Sequence, residues 1–287
     1  MYKFDPRGEP PETAFRAIAL DQLDEALSDL DNPDRDGRSV VHEARRRCKK
    51  LRGLLRLVRP VFPEFARENA AIRDAAALLS HLRDAEVLHQ TVAELVEWRR
   101  DDALVRIEQR LAAEHSPAPG DRLDQFRARL EAVRARVPSW SLEAGGVHAW
   151  APGLRQTYRQ ARRRMRTARR SHEPRDVHEW RKATKNHGFH IDLLKRVAPD
   201  VLGSELELVD QLSTSLGRHH DLVVLAAAVA AGPDRFGAPD DVAVLRSAIA
   251  DRLRVVEEAA FALGRQLMAE RPSAVSDRFA TYWKDSV

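Results

Sequence analysis

The sequence has few residues of several types, and each shortage excludes a class of protein. Cys48 is the single cysteine among 287 residues, so no intrachain disulfide can form and a reducing compartment is expected. The longest apolar run, LVVLAAAVAA from Leu222, is too short to cross a bilayer as a helix. The N-terminal stretch MYKFDPRGEPPETAF lacks the apolar core of a signal peptide. These shortages predict a soluble, cytoplasmic protein without membrane association.

Glycine and proline are also sparse, at 13 and 15 residues, and they cluster between long segments rich in Ala, Leu, Arg and Glu. These segments have helical periodicity, and no alternating strand pattern is present, so the sequence predicts an all-α fold. The predicted helices cover residues 12–30, 39–59, 64–114 with a break near Arg100, 121–137, 154–170, 176–197, 201–231, 239–268 and a tail from 273. Ser39 is the predicted N-cap of the second helix.

The two halves of the chain resemble each other. VHEARRRCKK from Val41 aligns with VHEWRKATKN from Val177 at an offset of 136, and LSHLRDAEVL from Leu79 aligns with LGRHHDLVVL from Leu216. Two matching blocks in the same order indicate duplication of a helical unit. We therefore expect an N-terminal bundle in residues 12–137, a linker in 138–153 and a C-terminal bundle in 154–286.

Positive charge collects on particular helices, although the net charge is only +4. On a helical wheel, the cations of the segment that begins at His42 fall within roughly 120°, and those of the segment from Arg155 within about 80°. Exposed helices usually interleave acids with bases, because like charges repel. Only Glu43 is acidic between Val41 and Pro63, and residues 144–172 contain no acid. This imbalance favours binding of an external anion over a merely solvated face.

The histidines and aspartates of the repeats have more than one interpretation. His42 and His178 begin the basic columns, where a protonated imidazole would donate to a phosphate oxygen; a capping or core role is the alternative. If they donate, binding should tighten as the pH falls from about 8 to 6. Asp84 and Asp221 are expected to orient neighbouring Arg or His side chains. His220-Asp221 matches the dipeptide of metal-dependent phosphohydrolases, but the further His and Asp ligands of such a site are missing.

The paired H-x-x-R-[RK]-x-x-K helices, each followed by [RH]-D-x-x-[VL]-L, resemble the CHAD domain, the conserved histidine α-helical domain. The resemblance covers essentially residues 1–287 as a single domain. It implies two four-helix bundles related by a pseudo-twofold axis, with a basic central cavity or pore that binds inorganic polyphosphate. The motifs and the wheel together give the candidate polyphosphate-binding residues His42, Arg45, Arg46, Lys49, Arg52, Arg56, Arg83, Arg155, Arg159, Arg162, Arg163, Arg166, His178, Arg181, Lys182, Lys185, Arg218 and His219.

The predicted function is therefore non-catalytic binding of inorganic polyphosphate, with association with polyphosphate granules in the cytoplasm as a further expectation. No catalytic residue, metal or cofactor is predicted. Nucleic acid is the alternative ligand, but aromatic residues make up only 6% and do not interleave with the arginines as in stacking platforms. A metal-dependent phosphohydrolase using His220 and Asp221 is the least favoured alternative. On the second His helix, Gly188 and Asp192 replace the basic positions of Arg52 and Arg56, so its basic column is shorter.

Overall fold

The computed structural model describes residues 2–31, 37–79, 84–113 and 121–286, and these residues are helical with no β-strand. The predicted all-α class is confirmed. The eleven α-helices within this part of the chain are α1 (Pro11–Asp31), α2 (Gly37–Leu57), α3 (Phe65–Ala77), α4 (Asp84–Arg99), α5 (Asp102–Ala112), α6 (Arg122–Arg134), α7 (Ala151–Ser171), α8 (Pro174–Leu194), α9 (Pro199–Ala231), α10 (Pro239–Leu267) and α11 (Pro272–Asp285).

Local sequence explains most of these boundaries. Helices α8 to α11 each begin at a proline, whose fixed φ and missing N–H suit the first helical position. The predicted break near Arg100 is confirmed, since this residue has a φ of 53° between α4 and α5. Asp101 then caps α5, accepting a hydrogen bond from the Ala103 backbone N–H at 3.0 Å. Ser39 lies inside α2 instead of capping it, because the helix begins at Gly37.

The two halves differ in the continuity of one helix. Residues 64–114 were expected to break only near Arg100, but α3 already ends at Ala77 and α4 begins at Asp84. The corresponding helix of the second half, α9, runs unbroken from Pro199 to Ala231. The predicted site residue Arg83 lies outside the described residues.

Helix packing joins the two halves of the chain. Helices α1, α2, α3 and α6 form one group, and in the second half α7 packs against α8 and α11, α8 against α9, and α9 against α10. Helices α4 and α5 instead pack against α9 and α10 and build a second hydrophobic core with them. Its buried side chains include Val92, Leu104, Leu225 and Leu245. Residues from both halves therefore form this part of the core.

Helices α2 and α8 cross at the positions that the internal repeat aligns. The offset of 136 that superposes His42 on His178 also places Gly53 on Phe189. A Cβ atom added at Gly53 would lie 2.8 Å from Cβ of Phe189, so glycine is what permits the close approach. The Nε2–H of His190 donates to the carbonyl oxygen of Gly53 at 3.0 Å. A position that meets its own counterpart is the contact typical of twofold-related units.

Candidate polyanion-binding site

Core packing sets the orientation of α8. Trp180 is buried and stacks on Phe261 of α10, with ring centroids 5.1 Å apart. Gly264 lies directly beside the Trp180 ring, where a Cβ atom would come within 2.5 Å of it. Because Trp180 faces the core, the side chains of His178 and Arg181 emerge on the side of α8 that borders α9.

The two motifs of the second half converge there. The rings of His178 on α8 and His220 on α9 have centroids 4.4 Å apart. Arg181 lies close enough to Asp221 for the carboxylate to oppose the lowering of its pKa by burial. Arg181 also lies beside Gly217 of α9, where a Cβ atom would make an ordinary van der Waals contact with Arg181 Nε at 3.9 Å. The expected orienting role of Asp221 thus has a structural basis in its proximity to Arg181.

Charge and burial keep the two imidazoles neutral at pH 7. Burial lowers the pKa of His178, and Lys182 and Arg181 lower it further. Burial also lowers the pKa of His220 to about 4, with additional contributions from His178 and Arg181. A cluster in which cations suppress protonation of their neighbours has a positive potential, so it favours an incoming anion.

Two buried nitrogen atoms of this cluster lack a hydrogen-bond partner among the described residues. They are Nε of Arg181 and Nδ1 of His178. A buried polar group without a partner costs about 1–3 kcal/mol. An anionic oxygen that approached between α8 and α9 would satisfy such a donor, so the cluster is chemically suited to phosphate.

A cavity of about 270 Å³ extends from this cluster toward the first half of the chain. Arg181, Arg218 and Arg252 line one side, together with Asp221. The other side consists of α4 residues, including Glu94, whose Oε2 lies 3.4 Å from Nε of Arg218. Three arginines from α8, α9 and α10 thus meet one helix of the first half around a single cavity.

Arg252 was not among the predicted site residues. Its guanidinium lies over the ring of Trp98 on α4, 5.1 Å from the centroid. Burial lowers the pKa of Arg252, and nearby Arg218 lowers it further. Arg252 belongs to neither repeated motif, and its pairing with Trp98 crosses the two halves. The local sequence around it contains no signal for this contact.

In the first half, the basic column of α2 runs along α3. Arg45 donates from Nη1 to the carbonyl oxygen of Ala76 at 3.2 Å, near the C-terminal end of α3. Arg52 donates from Nε to Oδ1 of Asn69 at 3.1 Å. These contacts use part of the hydrogen-bonding capacity of the column, but guanidinium groups retain further donors.

The remaining cations of α2 and α8 differ in their exposure and their partners. His42 and Lys49 are exposed. Arg46 forms an ion pair with Glu43 on its own helix, at 2.5 Å, and Lys182 likewise pairs with Glu179. These two intrahelical pairs weaken the case for Arg46 and Lys182 as principal ligands of an anion.

His219 faces away from its neighbour His220. It is buried, with Nε2 3.9 Å from Oε2 of Glu257 on α10, and burial lowers its pKa. The structure thus assigns adjacent histidines to different surroundings. His220 faces the basic cluster and His219 packs against α10, although His219 was the predicted site residue.

The arginines of α7 lie apart from this cluster. Helix α7 packs through a face that includes Leu154, Tyr158 and Met165, and the opposite face exposes six arginines. These exposed residues are Arg155, Arg159, Arg163, Arg166, Arg169 and Arg170. Arg162 is partly buried and donates to the carbonyl oxygen of Met268 at 3.0 Å. The stripe that sequence reasoning grouped with the His helices therefore faces outward.

Within the described ranges, no group of three or more His, Cys, Asp or Glu side chains is placed to hold a metal ion. Among the helices that the structure describes, none is long and apolar enough to span a membrane.

The fold and the cavity together define an all-helical protein with a cluster of arginines and histidines between its two halves. A family model described as the CHAD domain matches residues 17–230. The chain belongs to the CHAD domain family, and the resemblance noted from its motifs is confirmed. No curated protein and no solved structure matches the sequence.

Proposed function

We propose that this protein binds inorganic polyphosphate, without hydrolysing it, in a basic groove or pore between its two halves. The observation that carries the proposal is the convergence of Arg181, Arg218 and Arg252 on one cavity opposite α4. Membership of the CHAD domain family is consistent with this ligand. His178 and His220 add two neutral imidazoles on the side of α8 and α9, with ring centroids 4.4 Å apart.

The chemistry of the lining suits a linear polyphosphate. A guanidinium can hold two phosphate oxygens at once and remains charged even when partly buried. Displacement of counterions from the phosphate chain supplies a large part of the free energy of such binding. Glu94 and Asp221 keep the arginines oriented, and they limit how many phosphates enter the cavity itself.

We further propose that the chain is a duplicated four-helix unit with a pseudo-twofold axis near the crossing of α2 and α8. The contact between Gly53 and Phe189, at aligned positions, supports this proposal. So does the second core, in which α4 and α5 pair with α9 and α10. Under this symmetry the column of His42, Arg45 and Lys49 is the counterpart of the α8 cluster and faces the same groove.

The proposal is tested by titration with polyphosphate of defined length at several salt concentrations. We expect affinity to fall steeply with salt. Replacement of Arg181 and Arg218 by glutamine should reduce the slope of log affinity against log salt by about 1.4, taking roughly 0.7 per phosphate contact as for single strands. The matched control replaces two exposed arginines of α10, Arg246→Gln with Arg254→Gln.

Salt-independent binding, or equal losses in both double variants, would contradict the proposed site. Circular dichroism checks that the Arg181→Gln/Arg218→Gln variant folds, and Arg218→Gln alone replaces it if it does not.

Competition with duplex DNA at fixed salt tests the alternative ligand, since preferential displacement by DNA would favour nucleic acid. Release of phosphate from polyphosphate with Mg²⁺ or Mn²⁺ would overturn the non-catalytic assignment. Colocalisation of a fluorescent fusion with polyphosphate granules tests the proposed cellular location.

A further inference from the structure

The outward face of α7 is unusually basic for a surface helix. Arg155, Arg159, Arg163 and Arg166 are exposed, and none forms an ion pair with any residue that the structure describes. At 1.5 Å per residue, the four positions extend over about 16 Å. Like charges at these spacings destabilise a helix by a few tenths of a kcal/mol per pair. The stripe therefore opposes the stability of the helix that carries it.

The N-terminal end of this stripe borders a cleft of about 730 Å³ between α7 and α11. Arg155 and Arg159 line the cleft from α7, Lys284 lines it from α11, and Arg59 lies at its edge after the end of α2. Asp277 is the acidic residue of the lining. The cleft thus brings together cations from three separate parts of the sequence, two of which, Arg59 and Lys284, belong to no repeated motif.

Arg59 connects this cleft to the basic column of α2. Burial lowers the pKa of Arg56 to about 10, and the positive charges of Arg52 and Arg59 lower it further. Arg52 and Arg59 are therefore each close enough to repel Arg56. Cations consequently continue from the middle of α2, past Arg59, to the beginning of the α7 stripe.

We propose that the α7 stripe and the Arg59 cleft form a second binding segment for the same polyphosphate chain, engaged by long chains that continue beyond α2. This inference rests on the proposed function and adds a selection for ligand length. We name the residues Arg59, Arg155, Arg159, Arg163, Arg166 and Lys284 the outer track. The inner site comprises the residues around the cavity and the α2 column.

The shape of the outer track favours polyphosphate over other polyanions. A ligand that occupies α2 and then α7 has to follow two separate helices, each about 3 nm long, that meet near Arg59. Duplex DNA, with a persistence length of about 50 nm, bends at this scale only at a high energetic cost. A single-stranded nucleic acid is flexible enough, but the described lining of the cleft contains no Phe, Tyr or Trp, and His148 is the one ring there on which a base could stack. A flexible inorganic chain needs only successive cations.

Two linked binding segments produce a dependence on chain length. A chain that reaches both segments gains affinity through effective concentration, by a factor of up to about 10² to 10⁴ in favourable cases. A short chain occupies only the inner site and gains nothing from α7. Replacing outer-track arginines should thus affect long chains selectively, which a simple loss of overall positive charge would not do.

The test compares Arg159→Glu/Arg166→Glu with the control Arg246→Glu/Arg254→Glu, which reverses two exposed arginines of α10. Binding is measured by isothermal titration with chains of about ten and about one hundred phosphates at equal phosphate concentration and fixed salt. We expect the α7 variant to lose at least tenfold in affinity for the long chain and less than twofold for the short one. The control should change both affinities by less than twofold.

Equal losses for long and short chains would overturn the length-selective track, as would an unchanged affinity for the long chain. So would an α7 variant that binds polyphosphate normally but loses binding to duplex DNA or to vesicles of anionic lipid. Failure of the proposed function gives a different result, because polyphosphate of every length would then fail to bind the wild-type protein or would ignore the Arg181→Gln/Arg218→Gln change.

Discussion

Helices α7 and α8 are neighbours with many cations each, yet their charges lie in opposite surroundings. On α8, Arg181 is largely buried, near Asp221, and lines a partly open cavity. On α7, Arg159 and Arg166 are exposed and make no ion pair within the described part of the chain. Helical periodicity identifies which residues share a face, but the packing of the remaining helices decides whether that face is enclosed or open to solvent.

The comparison also separates two kinds of positive site. The α8 cluster combines arginines with carboxylates and neutral imidazoles, so burial and the ion pair between Arg218 and Glu94 restrict its side chains before any ligand arrives. The open stripe has no such framework, and its side chains lose conformational freedom when they bind. We therefore expect the α8 cluster to determine whether polyphosphate binds and the α7 stripe to determine how affinity grows with chain length.

The largest expected effect comes from disrupting the contact between α7 and α2, which fixes the position of the α7 stripe. A Cβ atom at Gly153 would lie 1.8 Å from the carbonyl oxygen of Leu57, a backbone contact that no side-chain rotation relieves. Gly153→Ala should lower the free energy of unfolding by more than about 3 kcal/mol, at the upper end of overpacking effects. Urea denaturation measures this change.

Gly203→Ala in α9 is the matched control, because an added Cβ atom meets nothing within 4 Å there. It should stabilise the protein by about 0.5–1 kcal/mol, as alanine does in a helix interior. Equal stabilities of the two variants would show that α7 does not depend on its contact with Leu57, and that the position of the stripe relative to Arg59 is not fixed by this glycine.

Helix α8 carries two core histidines, His187 and His190, which can be compared with the site histidines His178 on α8 and His220 on α9. His187 and His190 are fully buried, and burial lowers their pKa values to about 4 and about 3. Because the unfolded chain protonates near pH 6.5, their neutral forms stabilise the fold above that pH, and this stabilisation is lost as the pH falls toward the folded values. At pH 4 the loss amounts to about 3 kcal/mol for each histidine.

The measurement is the free energy of unfolding in urea at pH 7, 5 and 4. His190→Gln keeps a donor for the carbonyl oxygen of Gly53 but does not titrate, so its loss of stability between pH 7 and 4 should be smaller than that of the wild type by about 3 kcal/mol. The exposed His148→Gln is the control and should leave the pH dependence unchanged. Identical pH dependences of wild type and His190→Gln would disprove a titrating role for this histidine.

Most of the fold was predictable because helix boundaries depend on local chemistry. The predicted helices at 201–231 and 239–268 agree with α9 and α10 to within two residues, since proline and glycine mark their ends. The interruption between α3 and α4 carries no glycine or proline, and it was missed. The packing of α4 and α5 against the second half was also beyond local pattern, because it depends on contacts between residues far apart in sequence.

The candidate site was predictable to a similar degree. Motif alignment found His178, Arg181 and Arg218, which lie in or beside the cluster around the cavity. The same reasoning added Arg155 and Arg159, whose periodicity correctly placed them on one face but could not show that the face is turned away from α8. Arg252 was missed, since its relevance comes from the contact with Trp98 across the two halves.

The effect of pH on binding should be smaller than its effect on stability. It should also extend to lower pH than the range of about 8 to 6 that the sequence suggested. With the pKa of His178 lowered and that of His220 at about 4, neither imidazole is protonated in the free protein near neutral pH. A bound phosphate raises these pKa values, so affinity should increase as the pH falls through the pKa values of the complex, and it should still be increasing at pH 5.5 because free His220 stays neutral there.

Titration with a short polyphosphate at pH 8, 7, 6 and 5.5 measures this effect, and His178→Gln should abolish most of it. His172, which pairs with Glu257 outside the cluster, provides the control variant His172→Gln. An affinity that stops increasing between pH 7 and 5.5 would contradict the neutral state assigned to His178 and His220, and an affinity that is constant throughout would exclude their protonation on binding.

The smallest expected effect concerns the cost of the α7 stripe. Arg163→Glu places an acid at i+4 from Arg159 and at i−3 from Arg166, so repulsion becomes attraction and stability should rise by about 0.5 kcal/mol. The gain should shrink in 1 M salt, where the Debye length is about 3 Å. Arg254→Glu, which removes the exposed pair with Glu258, is the control and should destabilise slightly. Urea denaturation at low and high salt distinguishes the two. If Arg163→Glu stabilises the fold but weakens binding of long polyphosphate, the arginine stripe serves binding at the expense of stability. If Arg163→Glu destabilises the fold, the stripe has a structural role, and the contrast between α7 and α8 fails.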